Sequence, residues 1–528
     1  MKSLMKKVFA AAAAIATVFG LAATTVATAN AADNATLTVS TTDAKFADKT
    51  VNAYKMFSAT VSGDGKAVSY TLTDEWKPFF KNSVGLTGVT DENVNDKAND
   101  YVSKLKDSTL VAFATKASNW AQTKANNITA DATATVSADA SNGKYTATFT
   151  GLGYGYYVVA VPGATLANAK SQYATLVSVH STKVDADIKG DLPTVDKKVQ
   201  VDGTGKDATD AKIGDTLTFT LTSTIPDMSA YDTYTFNFKD TLSKGLTFGQ
   251  VKSVKVENVT LTENTDYTVT TPTASNNNTL TVAMKDFKTK QQANAGKKIT
   301  VTYTATLNEN AVVGGAGNVN SAKIQYSNNP STNGTGESEP SKVRVFTYGF
   351  TVDKYTGDQY TDAATRLAGA EFTLAHKDGS AISFVQVSAG SATANAVYRV
   401  AKAGETGTTT ITTPANGKVV FEGLKNGEYT LTETKAPAGY NKLASAIGVK
   451  VNGQNNGTDT TNATVTITYN NDNGNDYNQT ASNGVIPVQN KSGAILPGTG
   501  GMGTIAFTVI GVLVIALGVA WTLKRKNA

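Results

Sequence analysis

Phe421-Glu-Gly423-Leu424-Lys-Asn-Gly427-Glu-Tyr429-Thr-Leu431 is the stretch that decides the fold. Its glycines predict a tight turn, and the spacing of Tyr429 and Leu431 predicts a following strand whose alternate residues point inward. The same pattern, F-x-G-L-x-x-G-x-Y-x-[VL], occurs at 149–159, 272 residues earlier (421 minus 149). The repeat predicts that two parts of the chain form the same kind of β-sandwich.

The two copies differ at the next inward position. Glu433 lies two residues beyond Leu431, whereas Val161 lies two residues beyond Val159. A carboxyl group on the buried face of a strand is costly unless it is neutral or has a partner. We therefore expect Glu433 to have a chemical role that the first copy lacks.

The rest of the chain also favours strands. Thr, Val and Tyr recur in alternating runs such as 216–221 and 464–469, with Asn, Gly and Asp between them. Only 91–125 has the spacing of a helix, carried by Val94, Ala98, Tyr101, Val102 and Leu105. The pattern predicts an all-β protein with a helical insertion in its first domain.

Two passages rich in Pro, Gly and Asn, 190–194 and 329–340, have the composition of linkers. The chain between its two terminal segments is long enough for three domains of about 150 residues. We predict domains at 32–190, 191–342 and 343–492.

The first 31 residues have the pattern of a secretory signal peptide. Lys2, Lys6 and Lys7 precede an apolar run at 8–21, and Ala29-Asn30-Ala31 ends the segment. We predict cleavage after Ala31, with Ala29 as the alternative.

Residues 493–528 predict a C-terminal processing signal. Leu496-Pro497-Gly498-Thr499-Gly500 precedes an apolar run at about 504–523, and Lys524-Arg525-Lys526 follows that run. About 20 apolar residues suffice for a transmembrane helix, and the basic residues beyond it favour the cytoplasmic side. This order indicates a site where the chain is cut and transferred.

Charge and composition exclude several functions. The chain has 48 basic and 43 acidic residues, but the two terminal segments hold six basic and no acidic ones, which leaves 42 against 43. A near-neutral body gives no reason to expect nucleic-acid binding. Without cysteine, and with only His180 and His376, we expect no disulfide, metal site, cofactor or catalytic triad, and no enzyme.

The C-terminal pentapeptide resembles the LPxTG signal of Gram-positive surface proteins, which sortase cleaves between Thr499 and Gly500 in this numbering. Residues 429–440 resemble the "E-box" of the immunoglobulin-like CnaB domains of Gram-positive pilins. The whole chain resembles the major shaft subunit of a sortase-assembled pilus. The resemblance implies three tandem immunoglobulin-like β-sandwiches.

In CnaB domains a Lys of the first strand and an Asn of the last strand join in an isopeptide bond beside the Glu. The matching residues are Lys354, Asn490 and Glu433. Burial favours a neutral amine and a protonated acid, the forms that attack and polarise a carboxamide. The resemblance thus implies that Glu433 catalyses a bond between Lys354 and Asn490.

The middle domain resembles the CnaA type, in which Lys, Asp and Asn have the same roles. The resemblance assigns these roles to Lys197, Asp240 and Asn320. Lys198 and Asn318 remain alternatives because adjacent strand residues face opposite sides. For the first domain we predict no such bond, because Val161 replaces the acid.

A shaft subunit also needs a lysine that receives the Thr499 carbonyl of another copy. In the family this lysine ends a V-x-V-Y-P-K motif, which Val177-Ser-Val179-His180-Ser-Thr-Lys183 matches without Tyr-Pro and with one extra residue. Lys183 is our choice, with Lys189 and Lys170 as alternatives.

The resemblance implies a secreted, cell-wall-anchored fimbrial subunit that begins as a membrane-retained precursor. Its expected partners are other copies of itself, pilin-specific and housekeeping sortases, minor pilins, peptidoglycan and a host glycan or matrix receptor. The alternative function is a monomeric, wall-anchored adhesin built of the same domains.

Overall fold

The computed structural model describes residues 34–62, 68–139, 143–165, 174–229, 231–328, 334–358, 365–454, 463–471 and 476–493. The predicted signal peptide and, apart from Gly493, the predicted sorting tail lie outside these ranges. No helix in the described ranges is long and apolar enough to span a membrane.

The described part of the chain is built mainly of strands, in six sheets. The first segment contains β1 (Ala35–Thr41), β2 (Thr50–Val61), β3 (Val68–Leu72), β4 (Ala132–Thr135), β5 (Ser137–Asp139), β6 (Lys144–Leu152), β7 (Gly155–Ala160), β8 (Ala174–Val179) and β9 (Lys183–Asp187). One of its sheets has the order β5-β6-β1-β9, and the other has the order β3-β2-β7-β8 with β4 paired to β2.

Three helices lie between β3 and β4: α1 (Lys77–Asn82), α2 (Val94–Ser103) and α3 (Asp107–Gln122). Val94, Ala98 and Val102 are buried with the aromatic residues of β2 and α1, so the predicted helical face is the packed one. The prediction of one helix at 91–125 was wrong in that two helices divide this segment and α1 precedes it. Because α1 has only six residues, it is too short to have a readable period.

The middle segment contains the next strands: β10 (Asp196–Val201), β11 (Thr204–Lys206), β12 (Ala208–Asp210), β13 (Thr216–Thr224), β14 (Phe236–Leu242), β15 (Leu246–Val256), β16 (Val259–Thr260), β17 (Tyr267–Thr270), β18 (Thr279–Met284), β19 (Lys298–Leu307), β20 (Asn318–Ser327), β21 (Thr335–Glu337) and β22 (Ser341–Phe346). They form one sheet β11-β10-β13-β19-β15-β16 and another β12-β22-β20-β14-β18-β17, in which β21 pairs with β20. A short helix that was not predicted, α4 (Phe287–Gln291), precedes β19.

The last segment contains β23 (Tyr348–Tyr355), β24 (Glu371–His376), β25 (Phe384–Ser388), β26 (Ala396–Val400), β27 (Ile411–Thr412), β28 (Lys418–Leu424), β29 (Gly427–Lys435), β30 (Ile447–Gln454), β31 (Thr464–Asn470), β32 (Gln479–Thr480) and β33 (Val485–Gln489). Its sheets have the orders β25-β26-β28-β23-β33 and β27-β24-β29-β30-β31-β32.

Both copies of the repeated motif have the same place in the fold. In each, the chain leaves one sheet and enters the other, from β6 to β7 and from β28 to β29. Gly151 and Gly423 have φ of 73° and 83°, a left-handed conformation that glycine adopts at low cost. The glycine turn therefore joins the two sheets of a sandwich.

Backbone proximity divides the chain into two compact units. One is Met1–Tyr348 with Gly423–Lys425 and Gly453–Val465; the other is Gly349–Glu422 with Asn426–Asn452 and Thr466–Ala528. The predicted boundary at 191 lies inside the first unit. The three-domain division stays a prediction.

Candidate functional site

Lys354, Glu433 and Asn490, here called the C-terminal trio, come from three strands or strand ends of the last segment. β23 and β33 are parallel neighbours in which Lys354 aligns with Val488. Asn490 follows β33 directly, and its N–H donates to the carbonyl of Tyr355 at 2.9 Å. Glu433 lies on β29, in the other sheet. The first and last strands of the segment thus bring Lys and Asn side by side.

Glu433 contacts both other members of the C-terminal trio. Lys354 Nζ lies 3.0 Å from Glu433 Oε1. Glu433 Oε2 accepts from Asn490 Nδ2 at 3.0 Å and from the Leu443 N–H at 2.8 Å. Among the described residues, Lys354 Nζ and Asn490 Oδ1 have no hydrogen-bond partner of acceptable geometry. The Lys354 amine therefore has the Glu433 carboxyl group as its polar neighbour, and the carboxamide oxygen of Asn490 accepts no hydrogen bond in the described part of the chain.

Burial sets the electrostatics of this trio. Lys354, Glu433 and Asn490 are 0%, 2% and 1% exposed. Burial lowers the pKa of Lys354 to about 8, although the Glu433 carboxylate acts in the opposite direction. The Lys354 ammonium also lies 5.8 Å from the centre of the Phe372 ring. At neutral pH the side chain therefore has an accessible neutral, nucleophilic form.

Lys197, Asp240 and Asn320, here called the middle trio, have a different arrangement. Lys197 lies on β10 in one sheet, and Asp240 and Asn320 lie on β14 and β20 in the other. β14 and β20 pair with Asp240 opposite Ala322 and with Leu242 opposite Asn320. The acid and the amide are thus diagonal neighbours on one inner face, and the lysine reaches them from the facing sheet.

The middle trio is also fully buried and includes a fourth residue. Lys197, Asp240 and Asn320 are each 0% exposed. Lys197 Nζ donates to Asp240 Oδ2 and, at 2.9 Å, to the hydroxyl of Tyr303. The same hydroxyl accepts from Asn320 Nδ2 at 2.6 Å. Tyr303 therefore connects the predicted nucleophile to the predicted electrophile.

Burial again favours the neutral amine. It lowers the pKa of Lys197 to about 8, against the opposing effect of Asp240. The rings of Phe219 and Tyr303 lie 5.2 and 5.1 Å from the Lys197 Nζ. Within the described chain, Asp240 Oδ1 and Asn320 Oδ1 have no hydrogen-bond partner.

The residues held open as alternatives lie elsewhere. Lys198 is half-buried and pairs with Asp196 and Asp207. Asn318 is buried, but its side chain bonds to backbone groups of Val312 and Val345. The structure thus brings together Lys197 and Asn320, and neither alternative.

Sequence reasoning missed Tyr303. β19 alternates inward and outward residues, and Ile299, Val301, Tyr303, Ala305 and Leu307 are the inward set. A single hydroxyl-bearing side chain among buried aliphatic ones was the available signal, because a buried tyrosine hydroxyl usually has a polar partner.

The described residues of the first segment contain no corresponding trio. Val161 is buried, and the inward residues of β1 are Ala35, Leu37 and Val39. Within the described residues of 34–189, no Lys, Asp or Glu side chain is buried. A buried lysine–acid–asparagine set like those of the other two segments is therefore absent from this described range.

The predicted linkage lysine lies on the surface. Lys183 is exposed at the start of β9. Lys189 is ion-paired with Asp187 at 3.1 Å. Lys170 and the predicted Leu496, Pro497, Gly498, Thr499 and Gly500 lie outside the described residues. In the described part of the chain, no group of His, Asp and Glu side chains could hold a metal ion.

Two family models match parts of this chain. Residues 213–330 match the Gram-positive pilin backbone subunit 2, Cna-B-like domain. Residues 358–466 match the SpaA prealbumin-like fold domain. The first match includes Asp240, Tyr303 and Asn320, and the second includes Glu433.

A curated relative supports the same resemblance. The trypsin-resistant surface T6 protein of Streptococcus pyogenes serotype M6 is 26% identical over 279 residues, which cover 48% of this chain. The match covers 44% of the length of that protein.

Solved structures of pilins are also similar. The T6 backbone pilin of Streptococcus pyogenes has a TM-score of 0.45 and 18% identity, with coverage of 87% of this chain and 98% of that chain. A C-terminal fragment of the major pilin GBS80 of Streptococcus agalactiae has a TM-score of 0.41 and 24% identity, with coverage of 57% and 100%. BcpA of Bacillus cereus, a major pilin subunit, has a TM-score of 0.38 and 22% identity, with coverage of 67% and 89%.

Proposed function

Because this chain resembles the backbone pilins of Gram-positive bacteria, we propose that it is the shaft subunit of a covalent surface pilus. It acts as a structural protein and not as an enzyme. Sortase cleaves the chain after Thr499 and transfers the Thr499 carbonyl to Lys183 of another copy. Repetition of this transfer makes a fibre, which displays its subunits for adhesion outside the cell.

The observation that carries this proposal is the pair of buried lysine–acid–asparagine trios. A buried lysine, acid and amide would be a poor way to fill a hydrophobic core, because each polar group loses its hydration. Two such trios in one chain, each joining early and late strands of its segment, support a covalent cross-link in each.

The chemistry proceeds in the same way in both trios. The neutral amine of the lysine attacks Cγ of the asparagine, and the neighbouring acid group polarises the carboxamide. The Nζ–Cγ bond forms, and the Cγ–Nδ2 bond breaks. The acid accepts a proton from the attacking nitrogen and delivers one to the leaving nitrogen, so one ammonia leaves for each amide formed. In the middle trio, the Tyr303 hydroxyl aligns the two reacting groups.

A reconstituted host distinguishes the shaft from a monomeric adhesin. We expect the full chain, expressed with a pilin-specific sortase, to form a ladder of high-mass species on denaturing gels. Lys183→Ala should reduce the ladder to monomer, and Lys189→Ala should leave it intact as the matched control. A monomer in the presence of active sortase would favour the adhesin. A ladder that persists in Lys183→Ala but is lost in Lys189→Ala would assign the linkage to another lysine.

The cellular route follows from the two terminal segments. The signal peptide directs export, and the C-terminal apolar run retains the precursor in the membrane until cleavage. The last subunit is transferred by the housekeeping sortase to peptidoglycan, and minor pilins occupy other positions in the fibre. Mass spectrometry of pili released from the cell wall tests this order, because every internal subunit should end at Thr499.

A further inference from the structure

The strand that carries Lys183 has one unpaired edge. β9 is the last strand of the sheet β5-β6-β1-β9, where it pairs in parallel with β1. In the described ranges, no strand pairs with the other side of β9. An exposed strand edge is a template for the addition of another strand.

The alternation of backbone hydrogen bonds identifies the groups on that edge. Thr36 N–H donates to Thr182 O, and Ile188 N–H donates to Ser40 O. Together with the register of β1 and β9, these bonds show that the backbone N–H and C=O groups of the even-numbered residues of β9 point toward β1. The N–H and C=O groups of Lys183, Asp185 and Asp187 therefore point toward the open edge.

Two of the three open carbonyls have local partners. Lys183 O accepts from Ser181 Oγ at 2.9 Å, and Asp187 O accepts from Thr175 Oγ1 at 2.8 Å. Asp185, at the centre of the strand, has no hydrogen-bond partner for its N–H or C=O in the described part of the chain. The centre of the edge thus has one unused donor and one unused acceptor.

We propose that residues 494–498 of a second copy pair with this edge as an added antiparallel strand. The inference rests on the proposed function, which places Thr499 of that copy on Lys183. Lys183 begins β9, and Thr499 follows the added segment, so the two strands can run side by side only in opposite directions. The segment has five residues, as β9 has, and each strand spans about 17 Å.

Pro497 sets the register, because proline has no N–H to donate. Its nitrogen must point away from β9, which directs the backbone groups of Ala494, Leu496 and Gly498 toward the edge. Leu496 then pairs with Asp185, and Gly498 pairs with Lys183. A shift by one residue would place Pro497 opposite Asp185 and leave that acceptor without a donor.

The side chains agree with this register. Gly498 lies beside Lys183 and leaves room for the lysine to reach the carbonyl of the next residue, Thr499. Ile495 and Pro497 lie on the same face as Val184 and Ala186, which are half-buried. Apolar side chains of the added strand would thus continue the apolar side of β9.

Hydrogen–deuterium exchange on the assembled polymer tests the proposal. The reference is the full-length precursor from cells without sortase. We expect the amides of Lys183, Asp185 and Asp187 to exchange at least about tenfold more slowly in the polymer, because they become hydrogen-bonded. The amides of Val184 and Ala186 bond to β1 in both states and serve as internal references, so their rates should not change.

A pair of variants at one position separates pairing from other effects. Asp185→Pro removes the central donor without removing a bond to β1, whereas Asp185→Ala keeps the donor and removes only the carboxylate. Both should still form the ladder, and only Asp185→Pro should lose the protection. Equal exchange in polymer and precursor, or protection that survives Asp185→Pro, would overturn strand addition while the ladder still supported the shaft function. Absence of any ladder would instead reject the shaft function, and strand addition with it.

Discussion

Replacement of Glu433 by glutamine tests the chemistry of the C-terminal trio most directly. Glutamine has the size of glutamate and can still contact Lys354 and Asn490, but it cannot exchange a proton with the amine. We expect the Lys354–Asn490 amide not to form. The intact mass of the variant should therefore exceed the wild-type mass, corrected for the substitution, by one ammonia.

The expected loss of stability follows from the length of the loop that the bond closes. The loop has 136 residues (490 minus 354). If the amide acts on the unfolded chain as a disulfide does, it contributes about 5 kcal/mol. For a domain of about 150 residues, this loss of stability should lower the midpoint of thermal unfolding by about 10–20 °C.

Calorimetry and mass spectrometry must be read together, because an unpaired buried lysine also destabilises the fold. Lys354→Met is the second variant, since it removes the nucleophile and leaves no buried ammonium. Glu422→Gln is the matched control: Glu422 is a half-buried acid on β28, and the bond should form without it. Release of one ammonia by the Glu433→Gln variant at the wild-type rate would refute the catalytic role of Glu433.

Four further predictions concern the trios and the first segment. Tyr303→Phe should leave the fold intact but slow the middle cross-link about tenfold, which time-resolved mass measurement after refolding would detect, since one hydroxyl that accepts two hydrogen bonds is lost. In Asn320→Ala, the Lys197 amine stays free with a folded-state pKa of about 8 against 10.5 when unfolded, so between these pH values only the unfolded chain holds the proton. The free energy of unfolding of Asn320→Ala should therefore rise with pH between these values, by up to about 1.4 kcal/mol per unit, and the contribution of Lys197 should be constant below pH 8. Chemical denaturation of this variant and of Lys197→Met/Asn320→Ala, which has no Lys197 amine, measures that contribution as the difference between the two. Peptide mapping should find one ammonia lost in each of the two later segments and none from 34–189, and a cross-link in that range would contradict the role assigned to Val161. Glu433→Asp, one methylene shorter, should fail to form the C-terminal amide in the same mass assay, whereas a full yield would mean that the reach of the acid does not matter.

The sequence was sufficient to predict strands and the repeated turn, because these depend on local periodicity or on a short motif, and the resemblance to pilins supplied Lys354, Glu433 and Asn490. Lys197 could not be separated from Lys198 in this way, since the choice depends on which face of β10 packs inward. The edge position of β9 was equally inaccessible, because sheet order depends on contacts between β1 and residues about 150 positions away. The contacts of Tyr303 with the middle trio could not be predicted, because its partners lie on other strands.

The two trios differ in the acid that they use, and the topology explains why. In the C-terminal trio, Lys354 and Asn490 belong to neighbouring strands of one sheet, so the acid alone must reach them from the facing sheet. Facing sheets lie about 10 Å apart, and the longer glutamate side chain favours that reach. In the middle trio, Asp240 and Asn320 are diagonal neighbours on one sheet, and it is the long lysine side chain that crosses. Aspartate is sufficient there, and an extra methylene in that filled core would be accommodated only with strain. The length of the acid thus follows from which reactant has to cross the sandwich.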